Sequence, residues 1–444
     1  MGPKQRPALS EHDLFRLELV NMIDARHELV RLAKLIDWSV FEREFSPHFV
    51  SHTGRPALPT RLMAGLLYLK HLYALSDEEV VARWIENPYW QHFCGERYFR
   101  HDLPCDPSSL VRWRQRIGEA GCEWLLTQTI EAAQGSGTIK QRSLTTVVLD
   151  TTVQEKAIAH PTDSRLLNKA REQLVASAQE ENIPLRQSYA RVGDAAQHMA
   201  GRYAHARQFK RMRREVKKLR TWLGRVIRDV ERKTEAPGEA LRQRLDLAKR
   251  LFAQQRQDTH KLYALHAPEV ECIAKGKAKI PYEFGVKVSV AVTAKEGLVV
   301  GMRSMPGNPY DGHTLAEQIE QVEILSNVQP AIVLADRGYR GVTPPEGTQL
   351  LISHTRRLPA RLKRLIKRRQ VVEPMIGHMK SDGLLGRNWL KGTLGDAMHA
   401  VLCGAGHNLR MILAHLRVLW LAWRQWLLMF FNSPSINNTA LAAS

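Results

Sequence analysis

Two aspartates in this chain each follow directly on a short apolar run: Asp150 after residues 144–149 (LTTVVL) and Asp336 after residues 330–335 (PAIVLA). Such runs predict buried strands. A carboxylate at the end of a buried strand lies at the rim of a sheet, where open α/β sheets place their ligands. An isolated acid there is ordinarily a turn residue or a helix cap. A third acid, Glu373, lies in residues 368–380 (RRQVVEPMIGHMK), where helical spacing puts Glu373 and Lys380 on one side, with Arg369 four residues before Glu373. Pro374 cannot donate a backbone hydrogen bond and disfavours α geometry at Glu373, so the helix starts or kinks there. The Glu373–Lys380 alignment is expected to survive this better than the Arg369 one. Three converging carboxylates without histidine or cysteine partners suit a hard divalent cation, Mg²⁺ by default with Mn²⁺ as a substitute. Two such ions about 4 Å apart activate an attacking hydroxyl and stabilise the leaving oxygen in phosphodiester chemistry.

The elements around these acids divide the chain. Residues 1–10 read as a loose tail, and 11–134 as helical. A helix over 60–73 is followed by a break at Ala74-Leu75-Ser76 and a second helix over 77–85, with Ser76 as N-cap. This is the outline of a helix-turn-helix, shared with many helical bundles. Gly54-Arg55-Pro56 reads as a turn, with minor-groove insertion as the weaker reading. After the QGSGT linker and the strand before Asp150, residues 155–262 lack strand signals. Within them, residues 207–220 hold eight basic residues against one acid, and Leu219, Leu223, Val226 and Val230 form an apolar stripe. A second helix from Glu239 to about Leu262 is expected to fold back beyond Pro237-Gly238. Strand signals return in a hairpin over 283–293 and 297–305, then a helix over 314–325, the strand before Asp336, and a fifth strand at 349–353.

The charge needs a partner. Of 444 residues, 65 are Lys or Arg and 45 Asp or Glu, a net of +20, with a pI near 9.9. The usual outlets are nucleic acid and anionic membrane. Residues 409–431 are rich in tryptophan and aliphatics, but Arg410, Arg417 and Arg424 recur on one side. A charge at the bilayer centre costs roughly 3 kcal/mol even on lenient scales, so an amphipathic helix packed on the protein body is expected. That leaves nucleic acid. The five scattered cysteines form no CxxC pair, indicating neither a disulfide framework nor a zinc site. The charged N-terminus argues against a secretory signal.

The residues VVLDTT around Asp150, GNPYDGHTL at 307–315, VLADRGYRG at 333–341, and Arg369, Glu373 and Lys380 in the spacing R-x3-E-x6-K together carry a resemblance. The chain resembles bacterial insertion-sequence transposases of the DDE type, in the insertion-sequence-five family. The tyrosine that such families carry three residues before the arginine is replaced by Ile366. The resemblance implies a ribonuclease H-like α/β core with a mixed five-stranded sheet, interrupted by a long basic helical insertion and preceded by an all-helical N-terminal domain. The expected layout is 1–134 for DNA binding and dimerisation, 140–155 and 263–400 for the catalytic core, 156–262 for the insertion, 401–431 for a C-terminal amphipathic helix, and 432–444 for a disordered tail.

From chemistry and family together, Asp150, Asp336 and Glu373 are expected to hold two Mg²⁺. Water then frees a 3′-hydroxyl at the element's end, and that hydroxyl attacks target DNA. Residues 356–369, with eight basic residues in fourteen and no acid, would face the substrate. Arg369, Lys380, Arg337 and Tyr339 are candidate contacts near the scissile bond, Arg213, Arg214, Lys217 and Lys218 along the flanking duplex, and Trp389 for base stacking unless it is a core residue. Asp311 and His313 read as turn residues, with a role beside the site or on DNA as the alternative, Asp163 and Asp194 as surface acids, and His378 as a partly buried histidine, with metal ligation as the weaker reading. The partners expected are double-stranded DNA at element ends and target, and a second copy of the chain in a homodimer. No membrane and no small-molecule cofactor are expected, and the location is the bacterial cytoplasm, on the nucleoid. The rival readings are a metal-dependent nuclease on the same fold and a non-catalytic DNA-binding protein.

Overall fold

A computed structural model describes residues 17–49, 56–274, 281–353 and 359–431. Among the described residues, seven α-helices come first: α1 (Leu19–Met22), α2 (Glu28–Leu35), α3 (Trp38–Phe45), α4 (Thr60–Leu72), α5 (Asp77–Glu86), α6 (Pro88–Phe93) and α7 (Ser108–Gly135). The expected break between α4 and α5 is present. Ala74 takes a left-handed conformation (φ 54°), and Ser76 caps α5 in a reciprocal box with Glu79. α4 is buried along nearly its whole length, and the first turn of α5 carries Asp77, Glu78 and Glu79. Asp77 is held by Arg114 at 2.5 Å and Lys70 at 2.8 Å. The tails 1–10 and 432–444, and Gly54, Arg55, Arg356 and Arg357, lie outside the described residues.

The sheet has six strands among the described residues, one more than expected. β1 (Thr146–Glu155) is followed by four helices, α8 (Asp163–Glu180), α9 (Ala190–His205), α10 (Phe209–Lys233) and α11 (Glu239–Ala253). Then come β2 (Glu271–Ala274), β3 (Tyr282–Thr293), β4 (Val299–Met305), α12 (Leu315–Ser326), β5 (Ile332–Ala335) and β6 (Gln349–Ile352). β3 pairs antiparallel with β1 on one side and with β2 and β4 on the other, while β1, β5 and β6 are parallel. The extra strand, β2, is four residues long and forms only because β3 offers it an edge. α11 stops at Ala253, short of the expected Leu262, and Gln254 there leaves helical geometry (φ −55°, ψ 133°). α13 (Ala360–Lys367) and α14 (Val372–Ser381) lead to α15 (Gly392–Phe431).

α15 begins at Gly392, before the expected residue 401, and its residues 395–400 are buried. Its first half packs on α7, α4 and β4. Asn408 ties three elements: its carboxamide accepts from the Val299 amide at 2.8 Å and donates to the Val299 carbonyl and to Thr129. The approach to α4 is close enough that a methyl on Gly406 would lie 2.4 Å from the His71 carbonyl oxygen. Two of the three recurring arginines reach other elements, while exposed Arg424 lies over Trp420 of its own helix. Arg410 donates to the His71 carbonyl at 2.7 Å and Arg417 pairs with Glu28. Among the described residues, no helix is long and apolar enough to cross a membrane.

One large apolar core joins the N-terminal helices, the sheet, α12, α14 and α15. A second, separate core belongs to α8–α11. The Leu219–Val230 stripe lies in that second core, so it is not free to form a dimer seam.

Candidate active site

β1 and β5 are paired in parallel from Thr146/Ile332 to Val148/Leu334. Two residues further along each chain, in the same step, stand Asp150 and Asp336. The even spacing puts both on the sheet face of Val148 and Leu334, on strand paths about 4.8 Å apart. Asp150 is inside β1 rather than at its end. The strand continues to Glu155 because β3 goes on pairing with it, while β5 has already stopped. The parallel ladder thus opens at Asp150, and the carboxylate occupies the opening. Asp336 is the cap of a single 3-10 turn, Arg337–Tyr339, and its Oδ1 accepts the Gly338 amide at 2.7 Å.

Glu373 sits in the first turn of α14, which packs on β1 through buried Val372 and Met379. Pro374 falls where a missing N–H costs nothing. The chain before it is already turning, in a 3-10 segment over Arg368–Val371. This preserves the contact that the proline was expected to break. Arg369 Nη2 lies 3.2 Å from Glu373 Oε1, and Nη1 lies 3.6 Å from Asp150 Oδ2. The expected Glu373–Lys380 alignment gives no ion pair among the described residues, and Arg369 takes its place.

The structure therefore brings Asp150 and Asp336 together directly, and Glu373 to Asp150 across one guanidinium. Among the described residues, no three acidic, histidine or cysteine side chains are gathered closely enough to hold one ion. The donors are nonetheless all oxygens. Burial pushes the Asp150 carboxyl up to about 6, and the negative charges of Asp336 and Glu373 push the same way against the Thr151 amide and Arg369. Excess negative charge in a half-closed, oxygen-lined opening is a fit for a hard divalent cation.

The other candidates scatter. Arg337 is exposed. Tyr339 is fully buried, turned inward by the 3-10 turn, and burial raises its phenol above the ordinary range. It is not placed to lie along a DNA strand. Trp389 is not a core residue: it is 67% exposed, with the Arg387 guanidinium 4.6 Å from its ring centre. His378 is exposed rather than partly buried, paired with Asp382 at 2.7 Å. Asp163 starts α8 and Asp194 contacts Asn168 and Arg171.

On α10, Arg213, Arg214, Lys217 and Lys218 are all exposed, and Lys218 is paired with Glu215 at 2.8 Å. The sequence reading missed that Arg225 and Arg228 continue this exposed surface. With Arg186, Tyr189 and Arg232 they line a cleft of about 430 Å³. The alternation of threes and fours through 214, 218, 221, 225 and 228 was the available signal.

Residues 17–116 match the family described as Transposase domain (DUF772), and residues 258–345 match the Transposase DDE domain. The second match includes Asp336; Asp150 and Glu373 lie outside it. An uncharacterized protein of Rhizobium meliloti, ORF8 in the nfe locus, is 54% identical over 204 residues, which is 46% of this chain and 98% of that protein. No solved structure matches the chain. Two transposase matches, one over the N-terminal helices and one running from ahead of β2 past the Asp336 turn, agree with the motifs around the acids: the chain belongs to the DDE transposases of insertion sequences.

Proposed function

We propose that this transposase is of the insertion-sequence-five type and that residues 140–155 and 263–400 form a ribonuclease H-like catalytic core. The strand order supports this: a three-stranded antiparallel part (β4-β3-β1) continued by parallel β5 and β6, with one acid in β1 and one directly after β5. In this reading α8–α11 are an insertion between β1 and β2, and residues 1–134 serve DNA binding and dimerisation. The enzyme acts as a homodimer on double-stranded DNA, at element ends and target, in the bacterial cytoplasm on the nucleoid.

Asp150, Asp336 and Glu373 would hold two Mg²⁺, with Mn²⁺ able to substitute. When bound, the ions supply activation of the attacking oxygen and stabilisation of the leaving oxygen in a phosphodiester displacement. The chain's own part is positioning. The strand register sets Asp150 beside Asp336, and the Gly338 amide fixes the Asp336 carboxylate. Arg369 balances Asp150 and Glu373, and a guanidinium there is well shaped for a phosphate oxygen pair beside the scissile bond. Exposed Arg337 and half-buried Lys380 offer further phosphate contacts, and Trp389 a stacking surface.

The observation that carries this reading is the in-register pair Asp150 and Asp336, with Glu373 tied to it through Arg369. The test uses labelled duplexes carrying the ends of the insertion sequence that encodes the chain. Wild type with Mg²⁺ should nick these ends and join pre-cleaved ends to a target. Asp150→Asn, Asp336→Asn and Glu373→Gln should each lose both activities by about a thousandfold or more, several kcal/mol of transition-state stabilisation. Hydrolysis without joined product would favour the nuclease instead. Full activity in any of the three variants removes that residue from the centre.

A further inference from the structure

Asp311 lies in the GNPYDGHTL stretch, at the start of a 3-10 turn over Asp311–Thr314. A turn aspartate ordinarily folds its carboxylate back on its own backbone. The bonds of this one go elsewhere. Its Oδ1 accepts from Thr151 Oγ1 at 3.0 Å, 160 residues away in sequence, and from Lys287 Nζ at 3.0 Å. Lys287 also donates to the Pro309 carbonyl at 2.6 Å, and its side chain is only 13% exposed. Thr151 is the residue after Asp150. Register places Thr151 opposite Ser289 and Val153 opposite Lys287, so Thr151 and Lys287 share the face of β1 and β3 away from Asp150.

The other oxygen of Asp311 reaches the second aspartate. A methyl on Gly338 would lie 2.7 Å from Asp311 Oδ2 and 2.9 Å from Asp336 Oδ1. The two carboxylates thus flank the space above one glycine, whose amide already holds Asp336. Asp311 is wedged between the residue that follows Asp150 and the turn that aims Asp336, and Lys287 supplies the charge that lets another acid stand there.

We propose that Asp311, clamped by Lys287 and Thr151, is a positioning residue that sets the spacing between the Asp150 and Asp336 carboxylates and so their grip on a divalent cation. This rests on the reading of those two as the metal-holding pair. Partners of this kind orient the groups that touch the ion, and their loss weakens metal affinity or activity about 10- to 100-fold.

The test is Mn²⁺ binding to the full chain, followed by the spin resonance of free Mn²⁺, beside thermal unfolding without metal and cleavage kinetics. Asp311→Ala should weaken Mn²⁺ binding and lower kcat about 10- to 100-fold, with little change in KM for DNA or in the unfolding midpoint. Asp311→Asn keeps an acceptor for Thr151 and Lys287, so it should recover most of both. Gly338→Ala fills the space between Asp311 and Asp336 and should weaken Mn²⁺ about tenfold or more. It carries the test if Asp311→Ala does not fold. Wild-type Mn²⁺ affinity in Asp311→Ala, or in Gly338→Ala where the first is unfolded, overturns the proposal. Asp150→Asn separates the two claims. If it abolishes Mn²⁺ binding while the Asp311 and Gly338 variants bind normally, the positioning role fails alone. If it binds normally, the metal-holding pair fails.

Discussion

Asp150 is a carboxyl that burial makes reluctant to ionise, and a cation reverses that reluctance. Its folded value of about 6 lies above the ordinary 3.8. The metal-free protein therefore gains stability from the bound proton, fully below the unfolded value and progressively lost as pH rises through about 6. Metal binding has the opposite sign, because it needs the ionised form. Mn²⁺ affinity of the wild type should fall about tenfold per pH unit below about 6 and flatten above it. Metal-free Asp150→Asn should unfold at higher temperature than wild type at pH 7–8, and the gap should close by pH 4. A pH-independent Mn²⁺ affinity between 4 and 7 contradicts this. At this scale the two aspartates stood out, because an acid directly after a short apolar run is a local signal, although β1 runs on past Asp150 to Glu155. The partner of Glu373 was not. Whether Arg369 or Lys380 meets it depends on how the chain turns before Pro374, and a 3-10 segment there has no marker in single residues. Tyr339 reads as a candidate DNA contact beside Asp336, and only the turn after the aspartate sends it inward.

At the scale of elements, long periodic segments and glycine-marked turns came through clearly. The β3–β4 hairpin turns at Gly297 (φ 81°), and α12 and α14 start within a residue or two of where their patterns begin. β2 and the start of α15 did not come through. A four-residue strand has too few positions to alternate, and the two glycines at 392 and 395 give no sign that a helix starts there before α7 and β4 bury the part beyond them. The amphipathic stripe of α10 was legible, and its destination, the core of α8–α11, follows only from the three helices around it. The outer face of α10 is the part proposed to meet DNA. Arg213, Arg214 and Lys217 have no ion-pair partner among the described residues, whereas Lys218 is partly neutralised by Glu215. Reversing the three free charges to glutamate should weaken DNA binding and make its salt dependence shallower, by about 0.9 in log–log slope for each phosphate no longer neutralised. Lys218→Glu alone should do less. An unchanged slope would take α10 off the DNA.

The whole molecule divides its labour between two cores. The larger one fastens the N-terminal helices, the sheet and α15 around the acids, with α15 stitched by Asn408, Arg410 and Arg417. The smaller one carries a cationic helix. This division explains a chain that is strongly basic overall yet gathers acids at the open end of one parallel strand pair. The proposed function requires that Asp150, Asp336 and Glu373, distant in sequence, serve one metal centre. Replacing Mg²⁺ with Fe²⁺ and generating hydroxyl radicals at the bound iron cuts the protein backbone next to its ligands. With DNA bound, three groups of cuts are expected, around residues 150, 336 and 373, all abolished together in Asp150→Asn. Cuts around 150 and 336 with none near 373, or cuts that survive Asp150→Asn, would refute a shared centre.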